Sequence, residues 1–227
     1  MVCIVYRSAM DRPFFRDRRH AGRLLAVTLL AYRSDPNVVV LGLTRGGIPV
    51  AFEIAMVLRA PLDVCVVRRL GVPDRKELAM GAIASGGVLV LNDEVIEALK
   101  ISTMMIGLVA AQEQNELERL ECTYRGDAWQ RDVSGRITIV VDDGLATGST
   151  MRAAVAALRQ LQPARIVVAV PVGDADTCAR LRREVDELVC LHTPEPLQAV
   201  GLWYEKFGET SDRDVNRLLK TAATRRT

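Results

Sequence analysis

Ile137-Thr138-Ile139-Val140-Val141-Asp142-Asp143-Gly144-Leu145-Ala146-Thr147-Gly148-Ser149-Thr150 is an apolar, mostly β-branched run that ends in two carboxylates and a short loop of glycine and hydroxyl residues. Residues 137–141 have the composition of a central parallel strand, and residues 151–161 have the spacing and composition of a helix. The loop between them therefore lies at the carboxyl end of a strand and the amino end of a helix. There the free N–H groups of the first helical turn, with the positive end of the helix dipole, favour an anion. Gly144 and Gly148 let the backbone approach that anion, and the Thr147, Ser149 and Thr150 hydroxyls can donate to its oxygens. Asp142 and Asp143 would repel a phosphate, so they suit the hydroxyls of a neighbouring sugar diol. A phosphate at one end and a diol at the other describe a ribose 5-phosphate.

The rest of the chain sets the frame for this loop. With 227 residues, 49% hydrophobic and 26% charged, the sequence has the size and composition of one soluble globular domain with appendages. A formal net charge of +2 gives no strong field for nucleic acid. The longest apolar stretches, such as residues 166–172, are strand-length and far short of a membrane span, and neither a signal peptide nor an anchor is evident. The five cysteines, Cys3, Cys65, Cys122, Cys178 and Cys190, are scattered without a C-x-x-C pair, and the only histidines are His20 and His192. This usage predicts a reduced, cytoplasmic protein without structural zinc, in which Cys65 and Cys190 serve as small buried hydrophobes.

Strand and helix signals alternate along the chain. Residues 14–33 carry Ala21, Leu24, Leu25, Thr28 and Leu29 on one helical face; residues 38–42 and 62–67 read as strands around a helix at 48–58. Residues 165–170, 175–183 and 187–191 continue the alternation beyond the central strand, which favours a parallel sheet. Residues 68–80 break it with charges, Gly71 and Pro73, and are expected to form a mobile surface loop. A hairpin is expected over residues 81–92 around Gly86-Gly87, then a long helical region over 94–125, a loop-like aromatic stretch over 193–210 and a short helix over 212–221. No internal repeat or low-complexity segment occurs, and Met10 offers an alternative start to Met1.

A second strand-to-helix turn, Gly42-Leu43-Thr44-Arg45-Gly46-Gly47, has adjacent glycines and a permanently charged, forked donor in Arg45. It is a second anion site on the same sheet. Two rival phosphate signatures are absent, since no G-x-x-x-x-G-K-[ST] occurs and no G-x-G-x-x-G follows a strand.

Asp142, Asp143, Thr147, Gly148 and Thr150 resemble the phosphoribosyl-pyrophosphate (PRPP) loop of the type I phosphoribosyltransferases, an apolar strand followed by two acidic residues and Thr-Gly-x-Thr. The resemblance implies an α/β fold, a Rossmann-like three-layer parallel sheet flanked by helices, in a single domain over residues 1–227. Its core would span about 38–191, with a helical insertion at about 93–125 and a small hood from 10–33 and 193–221. It also implies transfer of the 5-phosphoribosyl group of PRPP to a nitrogen acceptor such as a nucleobase, with release of pyrophosphate. Magnesium would be bound mainly by the substrate rather than by direct protein ligands.

By the same resemblance, Gly144, Leu145, Ala146, Thr147, Gly148, Ser149 and Thr150 bind the ribose 5-phosphate, and Thr44, Arg45, Gly46, Gly47 and Arg69 bind the pyrophosphate. Asp142 and Asp143 hold the ribose and favour the developing positive charge. Arg45 and Lys76 stabilise the departing group, with Arg68, Arg69 and Arg75 also in the segment that matches the family's flexible catalytic loop. Ala146 stands where the hypoxanthine and guanine enzymes carry an aspartate, so this loop supplies no base of that kind; Glu77 is another candidate carboxylate. The acceptor would be met by the hood, for which Phe14, Phe15, Arg16 and Asp17, and Trp203, Tyr204 and Phe207, are the candidates. Residues 94–125 would be a hood or a dimer surface, and a homo-oligomer is the expected assembly. Nucleic acid is not an expected partner of such an enzyme. The alternative is a regulator of the same fold that senses PRPP or a nucleotide and binds nucleic acid, a reading to which the basic residues 220–226 lend some weight.

Overall fold

The computed structural model describes residues 14–73, 75–85, 87–125 and 132–224. Strand β1 (Val38–Leu43) pairs in parallel with β2 (Leu62–Cys65) on one side and β6 (Ile137–Val141) on the other; β7 (Arg165–Val172) and β8 (Glu187–His192) extend the sheet past β6. These strands are apolar on both faces because both faces are covered. Val38 and Val40 of β1, Ile139 and Val141 of β6, and Val167 and Ala169 of β7 point into one core with α1 (Arg18–Thr28), α2 (Gly47–Leu58) and α7 (Asp212–Thr224). The alternate residues Val39 and Leu41, Val140, and Ile166 and Val168 point into a second core with α5 (Ser149–Gln160) and α6 (Ala175–Leu181). Alternation along each strand thus produces the three layers expected from the sequence.

Residues 68–80 are a correction. Instead of a loop they form most of two strands, β3 (Val67–Val72) and β4 (Arg75–Ala84), which pair antiparallel and continue into β5 (Val88–Leu91). The β4–β5 turn includes Gly87, at φ 72°; Gly86 lies outside the described residues. Gly71 marks a register shift inside the ladder, and the β3–β4 turn follows Val72, so neither Gly71 nor Pro73 prevents pairing. The charges are tolerated because this small sheet alternates between buried and solvent-facing residues. Leu70 and Met80 are fully buried, and Arg68 reaches Glu113 at 2.7 Å.

The helical region expected over 94–125 is two helices. Asn92 caps α3 (Asp93–Leu99) by accepting the Val95 N–H, Lys100 leaves it in the left-handed region at φ 51°, and α4 (Thr103–Arg125) follows. At the amino end, the helix expected over 14–33 starts only at Arg18, because Asp17 accepts the His20 N–H at 2.7 Å and caps it. A short 3-10 turn, Leu30–Tyr32, follows. Among the described residues no helix is long and apolar enough to cross a membrane.

Candidate active site

The sheet order places a crevice between β1 and β6. From β1 the chain steps outward to β2, then returns across β1 to β6 and runs on to β7 and β8, so connections leave β1 and β6 in opposite directions. At such a switch point the loops beyond the carboxyl ends of the strands part and leave room for a ligand. Gly42 of β1 is in register with Val141 of β6, which sets residues 44–47 beside residues 142–150. The two expected anion sites are therefore walls of one crevice.

Their contact depends on the absence of side chains. A Cβ on Gly46 would lie 2.1 Å from Asp143 Oδ2, and one on Gly47 would lie 2.4 Å from the Val141 carbonyl oxygen. Only glycine lets the first loop rest directly on the carboxylate pair of the second. The Thr44-Arg45 peptide in this loop is cis.

The 142–150 loop is built mostly by its own backbone. The Asp143 N–H donates to Asp142 Oδ1 at 2.9 Å, the Leu145 N–H to the Val172 carbonyl at 2.9 Å, and the Asp174 N–H back to the Leu145 carbonyl at 2.8 Å. Buried Leu145 pins the middle of the loop, while Ala146 and Thr147 remain exposed. Gly148, at φ 72°, turns the chain into α5, whose first residues Ser149 and Thr150 are half-buried. Thr147 Oγ1 and Ser149 Oγ are 3.2 Å apart, and Arg69 Nη1 donates to Ser149 Oγ at 3.2 Å. Arg69, expected with the 44–47 loop at the pyrophosphate, is a correction: β3 carries it instead to the hydroxyls at the start of α5. The backbone of Lys76 lies in β4; its side chain, like that of Glu77, lies outside the described residues.

The carboxylates sit in an unusual electrostatic setting. Burial, and then the charge of Asp143, push the Asp142 carboxyl well above the usual aspartate range. Asp143 is met by Arg18 of α1, whose Nε donates to Oδ2 at 2.7 Å, while Tyr204 donates its hydroxyl to the Asp143 carbonyl at 2.6 Å. Arg45 faces acidic residues before and at the start of α7: Nη1 is 2.9 Å from Glu209 and Nε 3.2 Å from Asp212. No local pattern marks Arg18, Glu209 or Asp212 as site residues. Their partners lie more than a hundred residues away in the chain, and only the fold brings them in.

An aromatic wall rises beside this crevice. Phe15 bridges Tyr204, with the Phe15 N–H donating to the Trp203 carbonyl at 2.9 Å and the Glu205 N–H to the Phe15 carbonyl at 2.8 Å. The amino-terminal and tail segments expected to form a hood are thus joined, as far as the described residues reach; residues 10–13 lie outside them. Val200 packs on Gly144, where an added Cβ would meet Cγ1 at 2.4 Å. Tyr204 and Phe207 rings are 5.0 Å apart, whereas Trp203 turns toward His192, stacked at 6.1 Å. His192 ends β8 and lies 3.8 Å from the Phe14 ring; burial lowers its pKa, so its imidazole favours the neutral form. Its only sequence signal is a histidine at the carboxyl end of a strand in a parallel sheet. Cys178 and Cys190 flank Gly173 between α6 and β8, Cys178 fully buried and Cys190 half-buried.

Residues 19–202 match the family model described as a phosphoribosyl transferase domain. Two proteins from different strains of Mycobacterium tuberculosis, provisionally named phosphoribosyl transferases, are each 47% identical over 208 residues. The match covers 92% of this chain and 47% of theirs, so the chain spans about half the length of the curated relatives it matches. The crystal structure of TT1426 from Thermus thermophilus has a TM-score of 0.81 at 41% identity, covering 90% of this chain and 97% of that one. With the crevice, the two glycine-dependent loops and these matches together, the chain belongs to the phosphoribosyltransferase family.

Proposed function

We propose that the chain transfers the 5-phosphoribosyl group of PRPP to a ring nitrogen of a small base and releases pyrophosphate. The observation that carries this reading is the apposition of the two loops: a phosphate cradle, a carboxylate pair and an arginine-bearing glycine turn follow one another along a single crevice. That order matches 5-phosphate, ribose diol and pyrophosphate. The N–H groups of the first turn of α5, with Thr147, Ser149, Thr150 and Arg69, bind the 5-phosphate. Asp142 and Asp143 accept from the ribose hydroxyls, and Thr44, Arg45, Gly46 and Gly47 receive the pyrophosphate. Its departure moves Arg45 from Glu209 and Asp212 to a stronger anion. Trp203, Tyr204 and Phe207, with Phe14 and His192, form the wall nearest the acceptor and exclude water from the ribosyl carbon.

Magnesium fits this arrangement as a substrate-borne ion. Asp142 and Asp143 offer hard carboxylate oxygens of the kind that ion prefers. When bound, magnesium offsets the negative charge that builds on the pyrophosphate. The two carboxylates would face it across the ribose hydroxyls.

Calorimetric titration with PRPP and magnesium, followed by a pyrophosphate-release screen over adenine, guanine, hypoxanthine, xanthine, uracil and orotate, tests the proposal. Binding with release by one base is the expected result and names the acceptor. Binding without release by any of them favours the sensing alternative, which a salt-dependent nucleic-acid binding assay then examines. Folded protein that does not bind PRPP overturns the reading.

A further inference from the structure

We propose that Arg18 is a positioning residue of the ribose subsite that acts through Asp143, an inference that rests on the reading of Asp142 and Asp143 as the diol-binding pair. Arg18 and Asp143 form an ion pair with side chains only 12% and 16% exposed. A pair withdrawn from water to this degree is favourable only when its geometry is good and its remaining donors are satisfied. Arg18 has good geometry and a second acceptor. Its Nε donates to Asp143 Oδ2 at 2.7 Å, its Nη1 donates to the Gly208 carbonyl at 2.6 Å, and its guanidinium lies 3.9 Å from the centre of the Phe207 ring. The tail segment thereby fixes the arginine, and the arginine fixes the carboxylate.

Two consequences follow for ligand recognition. Each carboxylate of the pair commits one oxygen within the protein, Asp142 Oδ1 to the Asp143 N–H and Asp143 Oδ2 to Arg18. Asp142 Oδ2 and Asp143 Oδ1 are then the oxygens that turn to the sugar, one for each hydroxyl of a diol. The committed oxygen of Asp143 is also the atom that lies against Gly46 in the pyrophosphate loop, where a Cβ would come within 2.1 Å of it. A bare carboxylate there would repel the pyrophosphate, and the guanidinium bound to that same oxygen opposes the repulsion. Arg18 therefore both aims the diol acceptor and makes its charge tolerable beside a second anion.

Calorimetry with ribose 5-phosphate on the wild-type chain, Arg18→Met, Arg18→Lys, Asp143→Asn and the Arg18→Met/Asp143→Asn pair tests this role. Arg18→Met is expected to weaken ribose 5-phosphate binding about tenfold, the size of one lost charge-assisted hydrogen bond. In the Asp143→Asn background the same change is expected to cost less than about twofold, because the carboxylate charge through which it acts is gone. Arg18→Lys, which keeps the charge and loses the fork, should fall between. Equal losses in both backgrounds, tracking a fall in melting temperature, would assign Arg18 a merely structural role and overturn the inference. Should Arg18→Met not fold, Arg18→Lys is carried through the same cycle with the same criterion. Wild-type protein that fails to bind ribose 5-phosphate would overturn the parent reading, whereas wild-type binding with background-independent losses sinks the inference alone.

Discussion

The two loops that face each other across the β1–β6 crevice reach their shapes by different means. The 142–150 loop is self-supporting: its backbone hydrogen bonds run to the neighbouring turn after β7, buried Leu145 anchors its centre, and a left-handed Gly148 delivers it to α5. The 44–47 loop leans on others. Its glycines rest on Asp142 and Asp143, and its arginine is held by Glu209 and Asp212 from the far end of the chain. The first follows a local sequence pattern, with Val172, Asp174, Arg18 and Tyr204 holding it in place, while the second depends on the opposing loop and on the far end of the chain.

Gly47→Ala should break the contrast most severely. The new methyl would sit 2.4 Å from the Val141 carbonyl and force the loops apart, so we expect a loss of roughly 2–4 kcal/mol in chemical denaturation. Pyrophosphate affinity should collapse with it. If the leaning loop can shift without cost, both quantities will stay near wild type, and the dependence on Asp142 and Asp143 will have been overstated.

The self-supporting loop carries its own tension in Asp142. Because burial raises its folded-state pKa, the folded chain holds that proton more tightly than the unfolded chain. The resulting stability is full below the ordinary aspartate range and is lost as pH rises through the raised value. Asp142→Asn removes the ionisation while keeping an oxygen for the Asp143 N–H. Its stability relative to wild type should therefore rise as pH increases from the acid range toward neutrality, as read from urea midpoints. A difference that does not change with pH would contradict the assigned burial effect.

Arg45→Ala separates the loops functionally. It should weaken pyrophosphate binding by about tenfold, in line with a lost charge-assisted contact, and leave ribose 5-phosphate binding within about twofold. Equal losses would merge the two subsites. The smallest effect is expected in the strand that feeds the self-supporting loop. Thr138 is fully buried, and its hydroxyl is the one buried side-chain polar atom among the described residues without a hydrogen-bond partner, so Thr138→Val should stabilise the fold by about 1 kcal/mol.

This contrast also explains what could be read from residues alone. The parallel sheet and both βα loops were legible because β-branched runs, glycines and helix-opening hydroxyls act over a few residues, as in 137–150. Residues 68–80 were misread as a mobile loop because charge and Gly71 outweighed a period-two pattern, which becomes clear only when Leu70 and Met80 find buried partners and Arg68 finds Glu113. The break at Lys100 rested on a left-handed residue that no glycine announced. Within the candidate site, Asp142, Asp143 and Arg45 could be named from their own neighbourhoods. Arg18, Glu209, Asp212 and His192 could not, since each gains its meaning from a partner that is distant in the chain.

The β1–β6 pairing joins strands separated by the whole of residues 44–136. Closing so long a loop is a late and costly event for a folding chain, and neither wall of the crevice has its counterpart until it happens. A ligand that bridges both walls can bind only molecules that have completed that closure, so it draws the population toward them by mass action. For this chain, protection from proteolysis by PRPP would be a census of molecules in which the first and central strands have met.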